Sequence, residues 1–172
     1  MTAVDEAALT QLYDEHARDL HRYLSRRLTP AAADDVVAET FLVAWEQRRR
    51  FDPSRGAPRA WLFGIATNLL RRHARTEAAT LRALARSAGR ADRPEATDVA
   101  SRVDATRAAP ALAAALATLR REERDVLLLV AWAGLRPAEI AAALNIDDGT
   151  VRTRLHRART RLRTCLKETH HV

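Results

Sequence analysis

Apolar residues recur over residues 7–28 at Leu9, Leu12, Tyr13, Leu20, Tyr23, Leu24 and Leu28, the spacing of one helical face. Thr29-Pro30 closes that run, because proline restricts the residue before it and suits the first position of a following helix. A second helix is predicted over 31–47, turning Val36, Val37, Phe41, Ala44 and Trp45 toward a core. The stretch Phe51-Asp52-Pro53-Ser54-Arg55-Gly56 has the chemistry of a turn. A third helix follows from Pro58 to Arg75, carrying Trp61, Leu62, Phe63, Ile65, Ala66, Leu69 and Leu70. Together these segments predict one compact helical domain over residues 8–76.

Periodicity lapses over 77–108, where Ser87, Gly89, Asp92 and Pro94 interrupt Ala-rich pieces, and a linker is the expectation there. Ala-rich sequence forms helix readily, so part of 77–88 is compatible with an extension of the third helix. The pattern resumes with Leu112, Leu116 and Leu119, then with Glu122–Ala133, where Val126, Leu127 and Val130 point inward. Pro137 opens a short helix over Ala138–Leu144. Asn145-Ile146-Asp147 forms the turn, with Asp147 as the N-cap of the last helix. There Val151, Leu155, Ala158 and Leu162 make a buried stripe, and Arg152, Thr153, His156, Arg157 and Arg159 hold the other faces. The fold expected is all-α, two small helical domains joined by a flexible linker, the second a helix-turn-helix over 109–165. Thr164–Val172 is expected to be a short tail.

Charge sharpens this picture. The 172 residues carry a formal net charge of +7, with 47% hydrophobic residues and only five glycines. Residues 1–46 hold 4 basic and 9 acidic side chains, residues 47–76 hold 8 basic and 1 acidic, and residues 145–172 net +4. Two basic patches and one acidic surface suit a protein that touches nucleic acid twice and a protein partner once. The single cysteine, Cys165, excludes an intrachain disulfide and a cysteine zinc cluster, and no histidine pair has metalloprotease spacing. The start lacks a basic and apolar leader, and no apolar run approaches a membrane span, so the chain is expected in the cytoplasm. No nucleophile, base and orienting acid stand together and no Gly-rich phosphate loop occurs. Neither an active site nor a cofactor or metal is expected.

The last helix carries the strongest functional signal. Its N-terminal turns offer a polar outward face of the kind that enters a major groove. Arg152 and Arg157 have the reach to read guanine edges or clamp phosphates, while Thr150, Thr153 and His156 suit closer contacts. Arg154, Arg159 and Arg161 fit the DNA backbone. The competing reading is an Arg-rich solvated face on an ordinary helix. Upstream, Arg48, Arg49, Arg50, Arg55, Arg59, Arg71 and Arg72 surround a turn and helix that also hold Phe51, Trp61 and Asn68, a set suited to melted single-stranded DNA. Trp61 falls in step with Ile65 and Leu69, as a core residue does, and Phe51 fits either an anchor for the turn or a base contact. Asp34, Asp35, Glu39 and Glu46 share a helix with Phe41 and Leu42, which are candidates for a hydrophobic docking surface.

With these motifs in view, the chain resembles the group IV, extracytoplasmic-function (ECF) sigma factors of bacterial RNA polymerase, in the sigma-70 family. DDVVAETFLVAWEQRRRFDP (Asp34–Pro53) and RAWLFGIATNLLRRHAR (Arg59–Arg75) resemble the family's second region. LRREERDVLLL (Leu119–Leu129) with PAEIAAALNIDDGTVRTRLHRARTRLR (Pro137–Arg163) resembles the fourth. The resemblance implies region 2 over 8–76, a linker over 77–108 and region 4 over 109–165. It implies core RNA polymerase as partner, through the β′ coiled coil and the β subunit, together with promoter DNA and an anti-sigma factor. By position it implies Asp35, Glu39 and Phe41 at the polymerase, and Phe51, Arg55, Arg59, Asn68, Arg71 and Arg72 at the −10 element. Thr150, Arg152, Thr153, His156 and Arg157 fall at the −35 element. It implies no catalysis by the chain itself.

Departures from the family pattern are few. Ala38 stands where Gln is frequent, Gly64 and Thr67 where Arg is common, and Arg136 where a small Ser precedes Pro137. The alternative reading is a helix-turn-helix regulator that binds duplex DNA without polymerase. Such a protein would carry a receiver or ligand domain in front, and residues 8–76 lack a receiver's strand alternation.

Overall fold

A computed structural model describes residues 6–87 and 111–169. Among the described residues the chain is all helix and turn. Helix α1 spans Glu6–Ser25 and buries Leu12, Leu20, Tyr23 and Leu24. Helix α2 spans Pro30–Glu46. Its N-cap is Thr29, whose hydroxyl accepts from the Ala32 amide at 3.4 Å, and Pro30 opens the first turn. Two short 3-10 turns, Arg48–Arg50 and Pro53–Arg55, lead to α3 at Pro58–Leu70.

Helix α3 is the central element. Ala60, every residue from Leu62 to Thr67, Leu69 and Leu70 are buried, so the helix is covered nearly all round. It packs against α1 and α2 on one side and against a helix of the C-terminal unit, α7 (Pro137–Leu144), on the other. Gly64 makes the second contact possible: a Cβ placed there would stand 2.3 Å from the Ala143 carbonyl oxygen. Leu62 and Phe63, fully buried, each contribute about 2 kcal/mol of transfer free energy.

The third helix was expected to run to Arg75, but α3 stops at Leu70. Arg71, Arg72 and His73 each donate a backbone N–H three residues back, to Asn68, Leu69 and Leu70, which tightens the chain into a turn. Helix α4 then covers Ala74–Ser87. No Gly or Pro marks this break; the new direction lets Glu77 and Leu81 reach the interior. The expected linker boundary at residue 77 thus falls inside a helix, and residues 88–108 of that segment lie outside the described residues.

The C-terminal unit opens with α5 over residues 111–118. Leu116 and Leu119 are buried there as expected, whereas Leu112 is exposed and Ala113 and Ala115 face inward instead. Arg124 donates to the carbonyls of Leu116 and Leu119 at 2.8 and 3.0 Å, closing the end of α5. Helix α6 spans Arg121–Ala131, and α8 spans Asp148–Thr169, so the helix continues through most of the expected tail. Helices α6, α7 and α8 pack on one another, and the buried residues of both units join in one continuous core.

Candidate nucleic-acid interface

The α7–turn–α8 segment has the form of a helix-turn-helix. The Arg136 backbone N–H donates to Glu139 Oε2 at 2.7 Å, fixing the first turn of α7 and holding the Glu139 carboxyl below its usual range. Asn145 closes α7 in the left-handed region, at φ 52°, ψ 50°, a conformation Asn tolerates better than most side chains. The Ile146 N–H then reaches back to the Ala141 carbonyl at 3.0 Å. Asp147 accepts from the Thr150 amide at 2.8 Å and from the Thr150 hydroxyl, capping α8. Those bonds hold the Asp147 carboxyl below its ordinary value.

Val151, Leu155 and Ala158 are buried with Ile140, and Leu162 packs half-buried against them. That fixes the rotation of α8 and leaves Arg152, Thr153, His156 and Arg157 exposed on consecutive turns. Thr150 is half-buried and spends its hydroxyl on the cap. Arg152 pairs with Asp148 one turn back, and Arg161 lies 3.2 Å from Glu123 without hydrogen-bond geometry. Among the four exposed groups Arg157 makes no pairing with an acid within 4 Å. Four donor-bearing side chains therefore share a solvent-facing strip at the N-terminal half of a capped helix.

The upstream basic set is arranged differently. Phe51 stacks on Trp61 with ring centroids 5.0 Å apart, and both pack half-buried against the core, so the pair anchors the turn. Arg55 Nη2 donates to Asn145 Oδ1 at 2.8 Å, in the C-terminal unit. Arg59 Nη2 donates to the Ala133 carbonyl of the same unit, and its guanidinium lies 4.9 Å from the Phe63 ring centre. Arg48 covers Trp45 at 3.9 Å and donates to its carbonyl, capping α2. Asn68 and Arg71 are exposed, and Arg72, also exposed, pairs with Glu39.

On α2, Asp34 and Asp35 are exposed and Glu39 is half-exposed. Phe41, turned toward the core by the helical spacing and also a candidate for the docking surface, is 7% exposed and stacks on Tyr13 at 4.9 Å. It belongs to the core because it continues the stripe of Ala33, Val36, Val37 and Ala44. The exposed apolar residue on α2 is its neighbour Leu42, at 57%, while Phe41 and Trp45 line an open groove with Glu6, Leu9, Thr10 and Tyr13 of α1.

Sequence reasoning missed a buried ionic cluster. Arg27, fully buried in the turn after α1, donates to Glu77 Oε1 of α4 and Asp125 Oδ1 of α6, each at 2.6 Å, and to the Tyr23 hydroxyl. Arg124 adds a second cation 3.4 Å from Glu77 Oε2, so two positive and two negative groups balance. Burial works against the Arg27 charge, but Tyr23, Asp125 and Glu77 outweigh it and hold the guanidinium more firmly protonated than usual. Burial pushes the Asp125 carboxyl up, opposed by Arg27. A signal existed: Leu20, Tyr23, Leu24, Arg27 and Leu28 fall on one helical stripe, and an Arg in such a place needs buried acceptors.

Among the described residues no group of His, Cys, Asp and Glu could hold a metal ion, and no helix is long and apolar enough to cross a membrane.

Comparison with known proteins bears directly on these surfaces. Residues 12–80 match the family model for sigma-70 region 2, and residues 110–162 match that for sigma-70 region 4. The ECF RNA polymerase sigma factor SigL of Mycobacterium tuberculosis is 38% identical over 167 residues, covering 96% of this chain and 93% of SigL. The RNA polymerase sigma factor CnrH of Cupriavidus metallidurans is 36% identical over 143 residues, covering 77% of this chain and 72% of CnrH. A solved structure of CnrH in complex with the cytosolic domain of CnrY superposes with a TM-score of 0.65 at 30% identity, covering 95% of this chain and 90% of that one. Bartonella quintana RpoE, solved with the anti-sigma factor NepR, shares the fold, with a TM-score of 0.60 at 24% identity over 92% of this chain and 96% of that one. Two region models matched in order, and near full-length identity to SigL, show that this chain belongs to the ECF (group IV) branch of the sigma-70 family: an alternative sigma factor, which directs RNA polymerase to promoters and is not itself an enzyme.

Proposed function

We propose that residues 8–76 bind core polymerase and the −10 element, that residues 109–165 read the −35 duplex, and that 77–108 join the two. The observation that carries this is the strip on α8. Arg152, Thr153, His156 and Arg157 stand in solvent on a helix whose N-terminus is capped and whose rotation is fixed by a buried stripe. Arg157 and Arg152 supply base-edge or phosphate donors, Thr153 and His156 the closer contacts, and Thr150 sets the helix start. On the −10 side, Asn68 and Arg71 are accessible, Arg55, Arg59 and Arg72 add phosphate-binding charge once released from their partners, and Phe51 braces the turn.

For polymerase, α2 offers the carboxylates of Asp35 and Glu39 beside the exposed Leu42, a surface complementary to a basic helical partner such as the β′ coiled coil. Phe41 supports that surface from beneath through Tyr13. Region 4 gives a second foothold, on the β subunit. An anti-sigma protein is the regulatory partner expected, the kind of pairing solved for Bartonella quintana RpoE with the anti-sigma factor NepR.

Run-off transcription with purified core polymerase, with and without this chain, tests the reading on a pool of promoter fragments from the source genome. Discrete starts that depend on the chain are expected, and Arg157→Ala lowers them on every promoter with a −35 element. Protein-independent transcription, with no co-elution of the chain and core enzyme, would sink it.

A further inference from the structure

Arg154 and Arg161 do not share the open strip of α8. Seven residues is close to two helical turns, so the pair stands almost in line. Their place is the border between the buried stripe of Val151, Leu155 and Ala158 and the exposed Arg157. Packed against α8 is α6, whose first turn holds Glu122 and Glu123. The Glu122 carboxyl is held below its ordinary range first by its own backbone N–H, then by Arg121 and by the half-buried Arg154. Arg161 Nη1 lies 3.2 Å from Glu123 Oε2. A helix dipole favours acids in its first turn, but gives no reason to bury one. Glu123 is buried all the same, its side chain 4% exposed, and its Oε2 accepts no hydrogen bond.

A carboxylate so placed keeps a cation beside it or gives up its charge. Here the cation is Arg161, itself 43% exposed, on the helix assigned to the −35 duplex. By sequence Arg161 suits the DNA backbone; by position it is already engaged. Resting on the −35 reading above, we infer that Glu123 is a positioning residue that withholds Arg161 from DNA phosphates. It thereby keeps the sequence-independent affinity of the chain low and leaves binding to the open strip of Arg152, Thr153, His156 and Arg157.

Unequal costs hold the arginine in place. Turning to a phosphate, Arg161 would exchange one anion for another at a solvated surface, where such pairs gain little. Glu123 would then stay buried without a counter-charge, a far larger loss. The same carboxylate also repels an approaching phosphate. Because no directional bond joins the pair, charge alone restrains Arg161, and neutralising Glu123 removes that restraint outright. Phosphate contacts position a protein on DNA and read no sequence, so one fewer of them weakens attachment to arbitrary duplex.

Fluorescence titrations of the full chain at several salt concentrations test this on two duplexes, one from a promoter found by run-off transcription and one scrambled. Glu123→Gln is expected to tighten binding of the scrambled duplex on the order of five-fold near 0.1 M salt. The slope of log affinity against log salt should steepen by about 0.9, as one added phosphate contact requires. Asp14→Asn removes the same charge from the exposed side of α1 and should leave that slope unchanged. Adding Arg161→Met to Glu123→Gln should restore the natural slope. An unchanged slope in Glu123→Gln, an equal change in Asp14→Asn, or a steep slope kept by the double variant overturns the proposal. Should Glu123→Gln lose helix by circular dichroism, Arg161→Met alone stands as the test: it is expected to keep the natural slope, and a shallower one overturns the proposal. Stability gives an independent readout. Arg161→Met strands a buried carboxylate and should lower the urea midpoint more than Glu123→Gln does; an equal or smaller loss overturns the proposal too. The two readings fail separately. A chain that prefers the −35 duplex but does not respond to Glu123→Gln loses only the withheld arginine, and one that responds yet prefers neither duplex loses the −35 reading.

Discussion

The two surfaces proposed to meet DNA are both rich in Arg and stand in opposite states. On α8, Arg152, Thr153, His156 and Arg157 meet only solvent or a neighbour one turn away, because the stripe of Val151, Leu155 and Ala158 turns them outward. Around α3, Arg55 and Arg59 spend donors on a carboxamide and a carbonyl of the other unit, and Arg72 pairs with Glu39. A regular helix satisfies its own backbone and leaves its outer face free. The connection before α7 and the turn after it expose a backbone and an amide acceptor, and long guanidinium side chains find them. Basic charge in a sequence thus shows where a surface is made for an anion, while availability depends on which acceptors the fold brings near.

Removing the charge beneath the engaged surface is expected to do the most. Arg27→Met leaves Asp125 buried without its cation and Glu77 with Arg124 alone, and should cost about 3–5 kcal/mol of stability, read from the urea midpoint. A loss below about 1 kcal/mol would mean that the cluster is hydrated and that the two faces differ less than their geometry says. Next comes the open face. Arg157→Ala should weaken binding of a −35 duplex by about 1–3 kcal/mol in a fluorescence titration and flatten its salt dependence. Arg59→Ala should leave that duplex affinity unreduced; an equal loss from both changes would erase the distinction between the faces.

The smallest effect concerns the turn that aims α8. The Asp147 carboxyl is held below its ordinary value by Thr150, so its ionised form stabilises the fold. That contribution is complete above the unfolded carboxylate range and fades as pH falls through the lower folded value. Thermal melts between about pH 5 and 2 should show a decline that Asp147→Asn makes shallower. Identical slopes would remove Asp147 from the account.

Much of this was legible along the chain. The helix-turn-helix could be read to within a residue or two, since Pro137, Asn145 and Asp147 act through local geometry and the apolar stripe of α8 is strictly periodic. Phe41 was legible as a core residue from the spacing, but not that it would leave the docking face to Leu42, which its packing on Tyr13 decides. The break after Leu70 had no local mark, since the turn at Arg71–His73 serves to carry Glu77 and Leu81 to the interior. The Arg27 cluster was hidden for a related reason, because its acceptors stand 50 and 98 residues away.

By itself, then, the sequence determined the helices, their caps, the outward face of α8 and the family, each encoded in short-range periodicity, capping chemistry and contiguous motifs. The tertiary structure alone decided which charges are free. Pairing Arg27 with Glu77 and Asp125, setting Arg59 on Ala133 and seating Gly64 on Ala143 all depend on segments far apart in the chain, whose meeting no local pattern records.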